Sequence, residues 1–486
     1  MITPILFTDF YKTDHRRQYP KGTTLVYSNL TPRDSRLQGV DEVVVFGIQY
    51  FIKDYLIRRF NEGFFNQPKE KVIAQYKRRM DNALGKDAFP LQHLEELHDL
   101  GYLPIKIKAL PEGTLCKLRV PFLTIYNTHP GFFWVTNFLE TIMSNVIWGG
   151  VNSATIAYQY KKLLSTYAEK TSDIGELVQW QGHDFSMRGM FGLEASLISG
   201  AGHLTSFTGT DTIPAIDFLE NFYNANSDTE LIGGSVPATE HSVMCMGGDK
   251  NEIDTFKRLL TEVYPRGIVS VVSDTWDYWK IFDDVLPKLK SQIMARNGKL
   301  VVRPDSGDPV KVICGDENEK GSIEKLWDIF GGIVNSKGYK QLDSHIGLIY
   351  GDSITIDRCR AICEGLERKG FASTNVVLGI GSYTYQYNTR DTLGFAMKST
   401  YGEIDSKGYS IYKTPKTDSG IKNSAKGLLR VNTNGTLTED VTWFEEGQGL
   451  LETVFENGKI IKQQSLAEIR ARLEKYLLHE PITGNK

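Results

Sequence analysis

The sequence predicts an α/β protein: an irregular (β/α) barrel of about seven strands, with a second mixed α/β domain built from the N- and C-terminal segments. Three observations predict it. Seven short apolar runs between residues 176 and 382 each end in a polar or glycine-rich tip. The tips recur every ~25–45 residues, the length of a strand, loop, helix and return. The segments on either side lack this alternation. Continuous apolar runs suit parallel strands buried on both faces, which gather function at their C-terminal ends.

Taken in order, the first ~175 residues mix strand-like pieces (TTLVYSNL, DEVVVFGI, LPIKIKAL) with helical ones such as 45–60. The apolar stretch 131–148 holds Asn137, Glu140 and Asn145, so a buried helix is expected there rather than a membrane span. The seven runs follow: LVQW-QGHDF (177–185), LTSF-TGTDT (204–212), LIGGSVPATEH (231–241), IVSVV-SDTWD (268–277), KLVV-RPDSGD (299–308), HIGLI-YGDSI (345–354) and NVVL-GIGSY (375–383). Their tips carry Asp184, Asp211, His241, Asp274, Asp305 and Asp352, with Arg188 and Arg303. Between them, Ile323, Leu326, Trp327 and Phe330 fall on one helical face, as do Cys359, Ile362, Cys363 and Leu366. After 395 come short strands and turns (YSIYKTP, GLLRVNTNGTL, ITGNK). A last helix opens with the capping box Ser465-x-x-Glu468 and carries Leu466, Ile469, Leu473 and Leu477 on one stripe. The expected domains are 1–175 plus 391–486, contributing to a dimer interface, and 176–390, carrying the catalytic strand ends.

Composition narrows the class. A chain of 486 residues is too long for one ordinary core. A net charge of −3 argues against a dedicated nucleic-acid binder. MITPILFTDFYKTDH has no basic n-region and reaches Asp9 too early for a signal peptide. Five cysteines without regular spacing point to a reducing compartment, hence the cytoplasm.

So many ionisable groups on one rim point to an enzyme mouth. An imidazole such as His241, held near carboxylates, serves as nucleophile or base. RPDSGDP (303–309) offers a planar fork in Arg303 and an acceptor for vicinal hydroxyls in Asp305. The glycine turn GIGSY, the companion tip YGDS, Arg390 and Lys398 read as a phosphate site. Cys359 and Cys363 are four apart, but share an apolar stripe and read as core. HLEELH spaces its histidines five apart, off one helical face. No protein-held metal site is expected.

Together these motifs, with TDFYKTDHRRQYP (8–20) and the TRD of 389–391, resemble the nicotinamide phosphoribosyltransferases of the type II phosphoribosyltransferase group. The resemblance covers nearly the whole chain. It implies synthesis of nicotinamide mononucleotide and pyrophosphate from nicotinamide and phosphoribosyl pyrophosphate, in NAD salvage. It implies that Phe185 stacks on the pyridine ring and that Tyr11 covers the other face from the partner of a homodimer, with Asp9 nearby. Asp211 would accept from the carboxamide, with Arg188, Ser235 and Ser270 lining the pocket. Arg303, Asp305, Gly351, Asp352, Gly381 and Ser382 would hold the phosphoribosyl unit. Arg33, Arg390, Lys398 and Lys426 would contact pyrophosphate or ATP. His241 would be phosphorylated by ATP, with Asp274 and Asp305 as further catalytic groups and magnesium carried on substrate phosphates. Ser186 and Met187 stand where many relatives have glycine and tyrosine, and Tyr383 brings a ring beside the expected phosphate site. A nicotinate enzyme would place an anion against Asp211, costing about 4 kcal/mol at ~4 Å and an effective dielectric of ~20 before screening.

Overall fold

The computed structural model describes residues 2–413 and 424–479. The chain divides into two compact units: Met1–Thr155 with Phe218–Ala225 and Asn388–Leu473, and Ile156–Asp217 with Asn226–Tyr387 and Glu474–Lys486. The first division falls at 155 rather than 175, inside the helix Glu140–Thr171. Tyr160 explains where the later half of that helix belongs: its hydroxyl donates to the Ile354 carbonyl of the second unit at 2.7 Å.

In the first unit a seven-stranded antiparallel sheet interleaves both chain ends. Its order is Lys407–Ser410, Ala396–Ile404, Thr23–Thr31, Leu123–Asn127, Ile105–Ala109, Glu452–Glu456, Lys459–Ile460. β-Branched and aromatic residues in TTLVYSNLT suit a pleated, half-buried surface, and Tyr27 within it packs on Leu428 and Leu429. Asn29 pairs with Lys398 across this sheet. The run at 41–48 forms a strand only at Glu42–Val44, and the chain is helical from Ile48. Buried Glu112 caps that helix start, accepting from the backbone N–H of Gly47 (2.9 Å) and Gln49 (2.6 Å) and from the Tyr223 hydroxyl (2.9 Å). Tyr223 also stacks on Phe46, which accounts for 218–225 belonging with this unit. The last helix, Leu466–His479, begins with the expected capping box: Ser465 N–H donates to Glu468 Oε2 at 2.7 Å. Residues 482–486, expected as a terminal strand or turn, lie outside the described residues.

The second unit is built on a curled parallel sheet of five strands, not seven: Gly182–Asp184, Val376–Ile380, Ile346–Tyr350, Asn297–Arg303 and Arg266–Val272, in that order. The first apolar run is mostly a helical turn, Val178–Gln181, and only three residues of it extend. The runs at 204–212 and 231–241 form no strand. Gly209, Gly233, Gly234 and Pro237 weaken them, glycine by entropy and proline by its missing N–H. They enter through isolated parallel bridges, Asp184 with Thr210, Gly209 with Gly234, and Ala238 with Ser270. Val269, Val271, Leu300, Val302, Leu348 and Leu378 fill the sheet core. The stripes Ile323, Leu326, Phe330 and Cys359, Ile362, Cys363, Leu366 are buried on the covering helices, so both cysteines are packing residues. Among the described residues no helix is long and apolar enough to cross a membrane.

Candidate active site

Within the second unit the strand ends bring most of the expected groups together, in two linked clusters. The first is built around Asp211. Its Oδ1 accepts from His183 Nε2 at 2.9 Å and from the Ser235 hydroxyl at 2.6 Å. Burial pushes the carboxyl up, but His183, Ser235 and the charge of Arg303 outweigh it and hold the group below its ordinary value. Asp211 is therefore an acceptor at neutral pH. The half-buried Phe185 lies with its ring centroid 4.5 Å from that of His183, the planes 35° apart. Ser270, on the strand Arg266–Val272 and bridged to Ala238, has a buried hydroxyl without a hydrogen-bond partner.

Asp184, grouped with the rim acids by sequence, points elsewhere. It is fully buried; its oxygens accept from Ser186 N–H (2.9 Å) and from the hydroxyls of Thr212 (2.7 Å) and Thr210 (3.3 Å). It is a clamp that ties the 182–186 turn to the 209–212 tip, and it cannot meet a ligand.

The second cluster is built around Asp274. Only 4% of its side chain is exposed. Oδ1 takes His241 Nε2 at 3.1 Å, while Oδ2 takes the backbone N–H of Asp305 (2.9 Å) and the Ser306 hydroxyl (2.6 Å). A carboxylate can only accept, so Nε2 carries the proton and the Nδ1 lone pair of the half-exposed imidazole stays free. Burial raises the Asp274 carboxyl, but the bonds from Ser306, Asp305 and His241 hold it low.

Arg303 Nε stands 3.5 Å from Asp305 Oδ1, an ion pair too long for a good hydrogen bond. Both atoms are buried and without a hydrogen-bond partner, so ligand oxygens and hydroxyls are the natural complement. Asp305 is pushed up, first by burial, then by Asp274 and Asp352 against Arg303 and His241. Such carboxylate crowding fits a substrate-borne cation. Glycine at 351 is a steric necessity: a Cβ there would sit 1.7 Å from Asp305 Oδ1. At Gly381 it would sit 2.6 Å from Asp352 Oδ1. Arg188 is exposed on the short turn Met187–Gly189, which abuts Ser382 through Gly189. The Tyr383 ring is stacked on Tyr387, centroids 4.9 Å apart and planes at 12°.

The remaining expected residues lie in the first unit. Tyr11 is 62% exposed, edge-on to His15 at 5.3 Å, and Asp9 accepts from the Thr141 hydroxyl at 2.6 Å. Tyr11, His15, Asn137, Glu140 and Lys398 border a cavity of about 470 Å³. Lys398 also lines a second cavity, about 220 Å³, with Arg33 and Arg119. Burial lowers the Lys398 ammonium, and Arg33, Lys413 and Arg390 push the same way against Glu140. An anion would relieve that repulsion. Lys426 differs, its ammonium 2.9 Å from Asp440, and Arg390 pairs with its neighbour Asp391 at 3.2 Å.

Sequence reasoning passed over His183, Ser306 and Arg119. His183 had a signal: side chains alternate along a strand, so 183 and 185 share a face, and Phe185 was already assigned to the pocket. Arg119 carried none, because its left-handed backbone (φ 67°) and its place beside Arg33 are tertiary facts.

The chain is similar to known proteins along most of its length. Residues 180–459 match the model of the nicotinate phosphoribosyltransferase (NAPRTase) family, and residues 4–107 match that of the nicotinamide phosphoribosyltransferase N-terminal domain. A nicotinamide phosphoribosyltransferase of Acinetobacter baylyi is 53% identical, over 98% of this chain and 98% of its own. One of Xanthomonas campestris pv. campestris is 34% identical over 97% and 98%. Among solved structures, a nicotinate-nucleotide pyrophosphorylase from Pyrococcus furiosus superposes with a TM-score of 0.59 at 14% identity, covering 98% of this chain and 96% of that one. Human nicotinic acid phosphoribosyltransferase gives 0.51 at 16% identity, covering 97% and 93%. At such identities these two likenesses speak for the fold alone.

Proposed function

This chain belongs to the family of nicotinate and nicotinamide phosphoribosyltransferases, and we propose that it is the nicotinamide enzyme, forming nicotinamide mononucleotide and pyrophosphate in NAD salvage. One observation carries the choice of base. Asp211 is held ionised, with two donors on Oδ1 and none on Oδ2 among the described residues, beside an aromatic face at Phe185. Such an oxygen accepts from a carboxamide NH2 and repels a carboxylate.

In this reading the pyridine nitrogen attacks C1 of the ribose while the bond from C1 to the pyrophosphate oxygen breaks, that oxygen keeping the electron pair. Positive charge grows on the sugar and negative charge on the leaving group. Asp305 and Asp352 face the sugar, Arg303 offers its fork to the 5′-phosphate, and Ser270 and Arg188 border the base. Magnesium, bound through substrate phosphates with one or two of these carboxylates, would neutralise the leaving charge. Arg33, Lys398 and Arg390 are assigned to phosphate oxygens, supported by the three cations Arg33, Lys413 and Arg390 that act on Lys398 against the one carboxylate of Glu140. Lys426, tied to Asp440, has the weakest claim among them.

His241 is assigned as the acceptor of the γ-phosphoryl group of ATP. Asp274 keeps Nε2 protonated, so the new P–N bond forms at Nδ1, with ADP leaving and water later releasing phosphate. The protein is read as a cytoplasmic homodimer in which Tyr11 of one subunit covers the base bound by the other. The deciding experiment is turnover of both bases with phosphoribosyl pyrophosphate, magnesium and ATP. Nicotinamide should be preferred by at least about two orders of magnitude in kcat/KM. A preference for nicotinate would reject the assignment.

A further inference from the structure

His183 has no role in the chemistry above, yet it is held by Asp211, Phe185 and Gly209 at once. Only 9% of it is exposed. Nε2 lies 2.9 Å from Asp211 Oδ1, and because that carboxylate can only accept, the imidazole donates. Its face lies against Phe185, centroids 4.5 Å apart. Its opposite edge is set against the backbone of Gly209, where a Cβ would come within 2.8 Å of Nδ1. The chain delivers this by two local rules. Residues 183 and 185 share a face of the strand end, and Gly209 lies in the neighbouring tip, whose carbonyl accepts Asp184 N–H at 3.1 Å.

One imidazole therefore touches both parts of the recognition surface: the ring that meets the pyridine plane and the carboxylate that meets its amide. It also shares Oδ1 with Ser235, so the two donors together leave Oδ2 as the oxygen free for ligand. We propose that His183 is a positioning residue for base selectivity, fixing Asp211 Oδ2 relative to the plane of Phe185 so that an amide, rather than an acid, is accepted. The inference rests on the nicotinamide reading given above. It differs from a plain packing role in one respect: its effect must pass through Asp211.

That difference is testable by a double-mutant cycle on the full-length enzyme. His183→Phe keeps the ring against Phe185 and withdraws the donor, while His183→Gln keeps an N–H donor and withdraws the ring. Losing a hydrogen bond to a charged group should raise KM for nicotinamide by roughly tenfold or more in His183→Phe, and lower the nicotinamide-to-nicotinate ratio of kcat/KM by a similar factor. The Kd for phosphoribosyl pyrophosphate, read by calorimetry, should stay within about twofold, because His183 meets Asp211, Phe185 and Gly209 and none of the residues assigned to the phosphoribosyl unit. His183→Gln should keep most of the selectivity. In an Asp211→Asn background the further change to Phe should alter the ratio by less than about threefold. His183→Leu gives the same loss of donor if the Phe variant does not fold. An unchanged ratio in His183→Phe or His183→Leu would overturn the proposal. So would an equal fall in the Asp211→Asn background, or parallel losses of selectivity and phosphoribosyl pyrophosphate affinity. A wild-type enzyme that prefers nicotinate would instead defeat the nicotinamide assignment, so the two failures are read in separate lanes.

Discussion

Asp274→Asn isolates the orientation of His241 from its presence. The side chain keeps its shape but gains a donor. In the native site Asp274 accepts from three donors: His241 Nε2, the Asp305 backbone N–H and the Ser306 hydroxyl. An amide has one oxygen and one NH2, so it must choose. The backbone N–H of Asp305 cannot change roles, and burying it unpaired costs ~1–3 kcal/mol. The amide oxygen therefore stays toward Asp305 and Ser306, and the NH2 faces His241. To accept from it, Nε2 must give up its proton, which moves to Nδ1 and removes the lone pair assigned to attack ATP. Recovering the reactive tautomer means breaking one hydrogen bond and opposing two donors, ~2–3 kcal/mol, or a slowing of phosphohistidine formation by about 30- to 150-fold. The assay is the rate of acid-labile label transferred from γ-labelled ATP, beside the ratio of transfer rates with and without ATP. Basal transfer should fall much less than the stimulated rate. Labelling at the wild-type rate, with normal ATP stimulation, would refute the tautomer argument.

Three further outcomes are expected. Gly351→Ala drives a methyl into Asp305 Oδ1, 1.7 Å from the built Cβ, so KM for phosphoribosyl pyrophosphate should rise about tenfold or more while nicotinamide affinity barely changes; an unaffected KM would mean Asp305 does not hold the sugar. Inactive Tyr11→Ala and Asp211→Ala variants, mixed and allowed to exchange subunits, should regain up to about a quarter of wild-type sites if each site draws on both chains, and heterodimers seen by native mass spectrometry without activity would deny it. The folded-state value of Asp274 lies below its ordinary 3.8, so its contribution to stability is complete above that pH and is lost as pH falls through the lower folded value. The stability advantage of wild type over Asp274→Asn, followed by denaturant unfolding and circular dichroism, should therefore be full near neutral pH and shrink as pH falls below 3.8. An advantage that stays constant down through that range would show that this carboxylate is not held low.

Whatever depends on neighbours along the chain was legible in the residues alone. The apolar runs at 268–272, 299–303, 346–350 and 376–380 became parallel strands, the stripes at 323–330 and 359–366 became buried helical faces, and Ser465 capped the last helix. Periodicity, capping and turn chemistry are local, and they survive folding when nothing distant competes. The tips RPDSGD and SVPATEH were legible as chemistry for the same reason. Which acid does what was set by contacts between distant parts of the chain. Asp184 and Asp211 look alike in sequence, but Thr210, Thr212 and Ser186 bury one as a clamp, while His183 and Ser235 leave the other with an oxygen to spare. Asp274 took its role from His241, 33 residues before it, and from Ser306, 32 residues after it. Two apolar runs fell short of strands because glycines and a proline left them only single bridges. Burial and pairing are properties of groups far apart in the chain, and no local pattern encodes which of two similar carboxylates will find its donors.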